Sequence, residues 1–130
     1  IDTTLSVADM LEKEKVLQFT PFISAAHEKA LMENLPGCVS GRWHPAFTDI
    51  TAKAADKGKG LEAMASYLNI AISQTMAFGD GGNDVAILKR AGIGVAMGNA
   101  GDGAKAAADY ITTSVDEDGV WNALKHFGVI

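Results

Sequence analysis

Cysteine and basic residues are scarce in this chain of 130 residues, and long apolar runs are absent. The single cysteine, Cys38, has no partner in the chain, which excludes a domain held together by its own disulfides. Eleven Lys and Arg against sixteen Asp and Glu give a net charge of -5 without a basic stripe, so nucleic acid is not an expected partner. No run approaches the roughly 18 apolar residues of a membrane span, so we expect no membrane contact either.

The remaining composition is that of an ordinary folded domain. Hydrophobic residues make up 48% of the chain, enough for a core at the commonest domain size of about 100 to 150 residues. Ile1–Asp9 carries acids where a secretory signal needs a basic start, so we expect a reducing, cytoplasmic setting. Because the first residue is Ile1 and not Met, we expect a piece of a longer protein.

The residue pattern changes near Ala52 and predicts two α/β segments. Strand-forming residues in Val16–Ser24 and Cys38–Ile50 flank helical spacing in Ala25–Leu35, which predicts a strand, helix, strand unit. Residues 51–130 alternate short apolar strands with helices, which favours a parallel sheet covered by helices. The predicted elements are a short helix suggested by Val7, Met10 and Leu11, a helix from near Leu61, a strand at Gln74–Phe78, a helix at Val85–Ala91, a strand at Ile93–Met97, a helix at Ala100–Ala108, a strand at Tyr110–Thr113 and a last helix marked by Val120, Leu124 and Phe127.

The loop Phe78–Asp84 is the most informative stretch, because it follows an apolar strand and precedes a helix. Ligands bind at that edge of an open α/β sheet. Asp80 and Asp84 place two carboxylates in this loop, and its glycines allow a ligand to approach the backbone. Two close acids need a cation or a proton between them, and Mg²⁺ usually takes one or two carboxylates. The same residues also suit a plain turn in which Asn83 caps the next helix, and the residues alone leave both interpretations open.

Two other phosphate and metal motifs fit less well. The loop has neither the GxGxxG spacing of a dinucleotide site nor the lysine of a P-loop. Asp116–Gly119 resembles the start of a calcium loop, but it is too short and leads into a helix, so we interpret it as a helix N-cap.

A lysine beside glycines, in Asp56–Gly60, is a weaker signal. Lys57 can hold a phosphate or a carboxylate as a compact point charge, although a solvated loop lysine is the usual case.

Together, three motifs closely resemble one family. Lys57-Gly58 ahead of a helix, a strand leading into Gly79–Asp84, and Val95–Ala100 after the next strand are similar to the Cof-type haloacid dehalogenase phosphatases. That resemblance implies the C-terminal portion of a Rossmann-like (HAD-type) sheet with helices on both faces at residues 51–130, and the C-terminal remnant of an α/β cap domain at residues 1–50. It also implies a Mg²⁺-dependent phosphohydrolase that acts on small phosphorylated metabolites, such as sugar phosphates, through an aspartyl-phosphate.

The resemblance assigns roles to five residues of the second segment. Lys57 steadies the aspartyl nucleophile and the phosphoryl oxygens, and Asn83 hydrogen-bonds near the transferring group. Asp80 binds Mg²⁺, and Asp84 helps to hold the metal directly or through water. Asn99 supports the site from the neighbouring strand end.

Two residues of the first segment are candidates for substrate contact. Strand alternation predicts Arg42 and His44 on one face and Trp43 on the other. The family's cap closes over the substrate, so this face is predicted to meet a sugar or the leaving group. A solvated strand edge ended by Pro45 is the alternative interpretation.

The chain also departs from the family's pattern. The family's nucleophile and general acid form an Asp-x-Asp-Gly motif on a first strand, and no such strand precedes the cap-like segment. The Ser/Thr that ends the family's second strand is absent as well. Asp116–Gly119 matches the Asp-x-Asp-Gly pattern, but it follows the acidic loop Gly79–Asp84 along the chain, whereas the family's motif comes near the N-terminus. We assign it no catalytic role.

We therefore expect the 130-residue chain alone to be inactive and to need the missing N-terminal segment of the same protein. Because its strand edges would be exposed, we also expect the chain alone to be either marginally stable or self-associated. One alternative is a non-catalytic binding or regulatory module that keeps the fold. A receiver-like domain is a second alternative. In such a domain the strand that ends in acidic residues should come before the strand that carries the lysine, and in this chain the lysine comes first.

Overall fold

The computed structural model of the chain describes Asp9, Glu12 and residues 15–130, and it divides into two compact units, Ile1–Lys53 and Ala54–Ile130. The first unit contains an antiparallel sheet and the second contains a parallel sheet. None of the described helices is both long enough and apolar enough to cross a membrane.

The first unit has three strands in the order β1-β3-β2 and a helix between β1 and β2. Along β3, Thr48 and Ile50 are buried and alternate with less buried residues, as expected for a strand with one covered face. Its elements are β1 (Gln18–Phe19), α1 (Ala25–Glu33), β2 (Cys38–His44) and β3 (Phe47–Ala52). The predicted short helix suggested by Val7, Met10 and Leu11 lies outside the described residues.

The predicted helix from Ala25 is confirmed as α1. Ser24 caps it, because the Ser24 hydroxyl accepts the backbone N–H of His27 at 3.4 Å. The helix ends at Glu33, ahead of the Pro36-Gly37 pair.

The prediction of one strand across Cys38–Ile50 is wrong. Two strands form there, β2 and β3, and they pair as an antiparallel hairpin in which His44 faces Phe47. Pro45 has no backbone N–H and a restricted φ, so it ends β2 and leads into the turn. The predicted strand Val16–Ser24 is reduced to the two residues of β1.

The second unit is a parallel sheet in the order β4-β5-β6 with helices between the strands, which confirms the predicted α/β class. Its elements are α2 (Lys57–Tyr67), a 3-10 turn (Ile72–Gln74), β4 (Met76–Gly79), a 3-10 turn (Gly82–Asp84), α3 (Val85–Arg90), β5 (Ile93–Ala96), α4 (Asp102–Ala107), β6 (Tyr110–Ile111), a 3-10 turn (Val115–Glu117) and α5 (Gly119–His126).

One buried hydrophobic cluster of this unit lies between α3, the end of β5 and α4. It contains Leu88, Ala96, Met97, Ala100 and Ala104, with Phe78 packed against them. Two backbone hydrogen bonds join the loops that follow β4 and β5: Met97 N–H donates to the Gly79 carbonyl, and Gly101 N–H donates to the Asp80 carbonyl, both at 3.0 Å. The two loops therefore form one edge of the sheet.

The helix predicted from near Leu61 begins four residues earlier, at Lys57. Asp56 is its N-cap, and its carboxylate accepts the backbone N–H of Lys59 at 2.8 Å. On this helix Ala65 is buried, whereas Met64 and Leu68 are more than half exposed. Lys57 therefore lies in the first turn of a helix and not in a loop.

Candidate functional site

The turn after β4 brings Asp84 back against the end of its own strand. Gly79 is the last residue of β4, and a Cβ there would lie only 2.5 Å from the Cβ of Asp84. No real Cβ tolerates that distance, so the close return of the chain requires glycine. Asp84 N–H donates to the Gly81 carbonyl at 3.1 Å, which closes the 3-10 turn.

The Asp84 carboxylate is surrounded by donors. Its Oδ2 accepts the backbone N–H of Asp80 at 3.0 Å and that of Gly81 at 3.1 Å, and its Oδ1 accepts the ammonium of Lys57. Burial alone would raise the pKa of Asp84, but the hydrogen bonds from Lys57, Gly81 and Asp80 together hold that pKa below its ordinary value. Asp84 is therefore an ionised, nearly buried carboxylate at neutral pH.

Lys57 reaches this carboxylate from a different element, 27 residues earlier in the chain. Its position depends on α2, which the Asp56 cap starts and which packs closely on α3. A Cβ on Gly58 would lie 2.7 Å from the carbonyl oxygen of Ala86, so α2 approaches α3 at a distance that only glycine permits. The Lys57 side chain remains 50% exposed, so the ammonium also faces solvent.

Asp80 and Asn83 are exposed on the same turn. The N-cap position of α3 belongs to Asp84, whose side chain does not cap the helix. The alternative interpretation, in which Asn83 caps the next helix, is therefore wrong. The side chains of Asp80 and Asn83 are both accessible to a ligand at the edge of the sheet.

Asn99 lies in the loop after β5. Its Oδ1 accepts the backbone N–H of Val115 at 3.0 Å, which ties this loop to the following 3-10 turn. The hydrogen bond from Gly101 to Asp80 joins the same loop to the acidic turn. The structure thus brings Lys57, Asp80, Asn83 and Asp84 to one turn, with Asn99 in the adjoining loop.

The donor set fits part of a Mg²⁺ site. Asp80 offers an exposed carboxylate, and Mg²⁺ in proteins commonly takes one or two carboxylates and completes its shell with water. Asp84 is already engaged by Lys57 and two amides. Among the residues that the structure describes, no group of three or more His, Cys, Asp or Glu could hold a metal ion.

Arg42 and His44 belong to the first unit, and the predicted alternation around them is wrong. The pairing of β2 with β3 is irregular between Gly41 and His44. As a result, Trp43 and His44 both contact the Phe47 ring, with centroid distances of 4.7 and 4.9 Å. The contact of Arg42 and His44 with a substrate stays a prediction.

The Arg42 guanidinium is committed to its own unit. Its Nε donates to the Glu28 carboxylate at 2.5 Å, and its Nη2 donates to the Ile23 carbonyl at 2.8 Å. Its Nη1 donates to the carbonyls of His44 and Pro45 at 3.2 and 2.9 Å. Arg42 therefore joins α1 to the hairpin turn.

The interpretation of Asp116–Gly119 as a helix N-cap is confirmed in position. Asp118 is the N-cap residue of α5, although its backbone is left-handed, with φ 56°, and its side chain makes no capping hydrogen bond. Glu117 closes the preceding 3-10 turn by accepting from the backbone N–H and hydroxyl of Ser114, at 3.2 and 2.9 Å.

Sequence reasoning missed two residues that position the site. Asp56 was detectable, because Asp shortly before an apolar-periodic run is a favoured N-cap residue. The close packing of Gly58 on Ala86 had no sequence signal, because it depends on where α3 lies.

Comparison with known proteins identifies a matching family model, a similar curated protein and two similar solved structures. A family model for haloacid dehalogenase-like hydrolases matches residues 3–124. The putative phosphatase YkrA of Bacillus subtilis is 37% identical over 119 residues, which are 92% of this chain and 46% of YkrA.

Two solved structures are similar over most of the chain. The phosphatase BT1666 from Bacteroides thetaiotaomicron has a TM-score of 0.90 at 42% identity, covering 97% of this chain and 47% of that one. The HAD subclass IIB sugar phosphatase BT4131 has a TM-score of 0.84 at 50% identity, covering 90% and 45%. The chain spans about half the length of each of these three proteins.

Proposed function

The chain belongs to the haloacid dehalogenase-like hydrolase family, and we propose that it forms part of a Mg²⁺-dependent phosphohydrolase acting on small phosphorylated metabolites. One observation carries the proposal. Lys57, from the start of α2, donates its ammonium to Asp84 in the turn that follows β4, beside the exposed Asp80. A fixed cation next to an accessible carboxylate at a strand end suits phosphoryl transfer, which depends on positioning and charge neutralisation.

Each residue has a defined part in this proposal. Asp80 would hold Mg²⁺, which when bound neutralises negative charge that develops on the phosphoryl group. Lys57 supplies a positive charge toward the phosphoryl oxygens and the attacking carboxylate. Asn83 is exposed on the turn and can donate its amide N–H to a phosphoryl oxygen. Asn99 supports the adjoining loop through its bond to Val115.

The nucleophile would come from another segment of the protein. The carboxylate of Asp84 is engaged by three donors and is a poor nucleophile. Among the described strands, β4 ends the order β4-β5-β6, and the site lies at its carboxyl end. A parallel strand that pairs with the outer edge of β4 would bring its own carboxyl end beside Asp80. Without that strand, the same edge could pair with a second copy, so self-association belongs to the proposal.

The relatives support the substrate class. YkrA carries the name of a putative phosphatase and BT4131 that of a sugar phosphatase, which favours a phosphomonoester of a sugar or a similar small metabolite. The proposal also includes a cap role for residues 1–50, with Arg42 and His44 toward the substrate. A cytoplasmic setting is a further part of it.

A non-catalytic binding module is the second candidate. It would keep the fold and this turn but would receive no nucleophile from another segment.

An activity assay separates the two candidates. The 130-residue chain is assayed with p-nitrophenyl phosphate and Mg²⁺, alone and with the separately expressed segment encoded upstream in the source gene. We expect turnover only from the mixture, and we expect Asp80→Asn to abolish it; the upstream segment alone is the control. Metal-dependent turnover by the chain alone would contradict an external nucleophile, and an inactive mixture that forms a stable complex would favour the binding module.

A further inference from the structure

The antiparallel sheet of the first unit has one face opposite the helix α1. Thr48 and Ile50 of β3 are buried, and the Thr48 hydroxyl donates to Glu28 of α1, so α1 covers their face of the sheet. Asp49 lies between them and therefore points to the other face. Gly41 of β2 is paired with Asp49, which places it on that same face. We call this surface the open face.

Trp43 is fixed on the open face with most of its indole ring in solvent. Its Nε1 donates to Oδ2 of Asp49 at 2.8 Å, and its ring makes a T-shaped contact with Phe47 at a centroid distance of 4.7 Å. Phe22 packs on Phe47 in turn, at 5.4 Å. Trp43 nevertheless remains 60% exposed. A fixed, exposed indole offers a flat apolar surface, and little ordering is left for a ligand to impose on it.

The Asp49 carboxylate places hydrogen-bond acceptors beside that ring. Its Oδ1 accepts the Thr20 hydroxyl at 2.7 Å, and its Oδ2 accepts the Trp43 indole N–H. Hydrogen bonds from Thr20, Trp43 and Gln18 hold the pKa of Asp49 below its ordinary value, so the group is ionised at neutral pH. A carboxylate offers about four lone-pair positions, so at least one is left for a ligand hydroxyl. Its negative charge disfavours an anionic group, such as a phosphate, at the same place.

Gly41 leaves space next to these groups. A Cβ there would meet no atom of the described residues within 4 Å, and its φ lies outside the left-handed region. Glycine within a strand often marks a bulge or a place where a ligand approaches the backbone, and the irregular pairing of β2 begins at this residue. A bare stretch of backbone therefore lies opposite Asp49.

We propose that Trp43, Asp49 and Gly41 form a binding site for the uncharged ring of a sugar, with a face of the ring against the indole and a hydroxyl donating to Asp49. A sugar ring has apolar C–H groups on its faces and hydroxyls around its rim, which matches an aromatic ring beside a carboxylate. The inference rests on the proposed function, which supplies a sugar phosphate as the natural ligand. It assigns the sugar part to residues that take no part in handling the phosphoryl group.

Fluorescence of Trp43 can follow binding without metal or turnover. In a Trp121→Phe background, Trp43 is the only tryptophan of the chain, and the probes are glucose, mannose, galactose and ribose. We expect a saturable change with at least one of these sugars and none with inorganic phosphate. The Trp43→Phe chain, in which only Trp121 reports, is the control and should not respond. No saturable response to any of these sugars up to about 100 mM would overturn the proposal.

Gly41→Val tests the site without removing a contact from the fold. Valine is a good strand residue and its Cβ meets no described atom, so the variant should fold, but its side chain fills the space opposite Asp49. We expect the Kd for the sugar to rise at least about tenfold, because the ligand meets a steric block. Gly37→Ala is the matched control, since that Cβ also meets no described atom but lies outside β2, and it should bind as wild type does. Unchanged affinity in Gly41→Val would overturn the proposal.

Asp49→Asn tests the hydrogen bond. The asparagine still offers an oxygen to the Trp43 indole but loses the charge, so we expect the Kd to rise about threefold or more while the Trp43 emission of the free chain stays in place. Unchanged affinity would remove Asp49 from the site and overturn the proposal as stated.

The outcomes separate the inference from the proposed function. Sugar binding that Gly41→Val weakens, in a chain that stays inactive with its upstream segment, would count against the phosphohydrolase and support the sugar site. Phosphatase activity without any response of Trp43 to the sugars would overturn the inference alone. Trp43 emission that changes with protein concentration, in step with dimer formation in sedimentation, would show that a second copy covers the open face, and this would also overturn it.

Discussion

Replacing Gly58 by alanine should destabilise the second unit, although alanine is the better helix former. Within a helix, alanine in place of glycine stabilises by roughly 0.5 to 1 kcal/mol. At Gly58, however, the added Cβ would lie 2.7 Å from the carbonyl oxygen of Ala86 and 3.1 Å from its carbonyl carbon. Both contacts are to backbone, so α2 and α3 must move apart, and such overpacking costs typically about 1 to 3 kcal/mol. The net change should be a loss of about 1 kcal/mol.

Gly60 provides a matched control on the same helix. A Cβ there meets nothing within 4 Å, so Gly60→Ala should keep the propensity gain and stabilise by up to about 1 kcal/mol. The difference between the two variants then measures the clash, and we expect about 2 kcal/mol.

Urea unfolding can measure this difference for the second unit alone. The chain has two tryptophans, Trp43 in the first unit and Trp121 in the second, so a Trp43→Phe background lets fluorescence report on Trp121. At a slope of about 1 to 3 kcal/mol per molar urea, a difference of this size separates the midpoints by about 1 M. A Gly58→Ala variant as stable as Gly60→Ala would contradict the close packing of α2 on α3. That packing is what positions Lys57.

Two further predictions concern a carboxylate and a guanidinium. Asp84→Asn should cost about 1.5 to 3 kcal/mol at pH 7, the range for hydrogen bonds to a charged group. Because the hydrogen bonds to Asp84 depress its pKa in the folded state, its contribution is present above the unfolded pKa of about 3.9 and is lost as pH falls through the folded value. The difference in the free energy of unfolding between wild type and Asp84→Asn, measured in urea, should therefore become smaller below about pH 4. A difference that does not change with pH would contradict an ionised Asp84. Arg42→Lys should destabilise the first unit by about 1 to 3 kcal/mol, because an ammonium cannot reach Glu28 and three backbone carbonyls at once. Amide hydrogen exchange can test this. Faster exchange confined to residues 15–53 would support the prediction, and an unchanged exchange pattern would refute it.

Local sequence predicted the acidic turn well, because its signal is contained in a few adjacent residues. An apolar run stopped by Gly79 and followed by acids and glycines places Asp80 at a strand end whatever the rest of the fold does. The family follows from the same stretch together with Lys57 and Val95–Ala100, and the family match over residues 3–124 confirms it.

The start of α2 was predicted poorly, for an identifiable reason. Lys57–Gly60 contains two glycines, which are weak helix formers, so propensity favours a loop there. Packing overrides propensity, because the small Gly58 lets the helix approach Ala86 closely. The surroundings of Arg42 escaped prediction for a similar reason, since the irregularity between Gly41 and His44 breaks the alternation on which the prediction relied.

The sequence by itself determined the class of fold, the family and the residue types at the site, because periodicity and motif spacing are local properties of the chain. Only the tertiary structure decided which of the two acids is exposed and which is engaged. The partner of Asp84 is Lys57, 27 residues away on another helix, and their meeting depends on the packing of α2 against α3. Such a contact depends on differences of a few tenths of an ångström in the separation of two backbones, and no spacing along the chain encodes them.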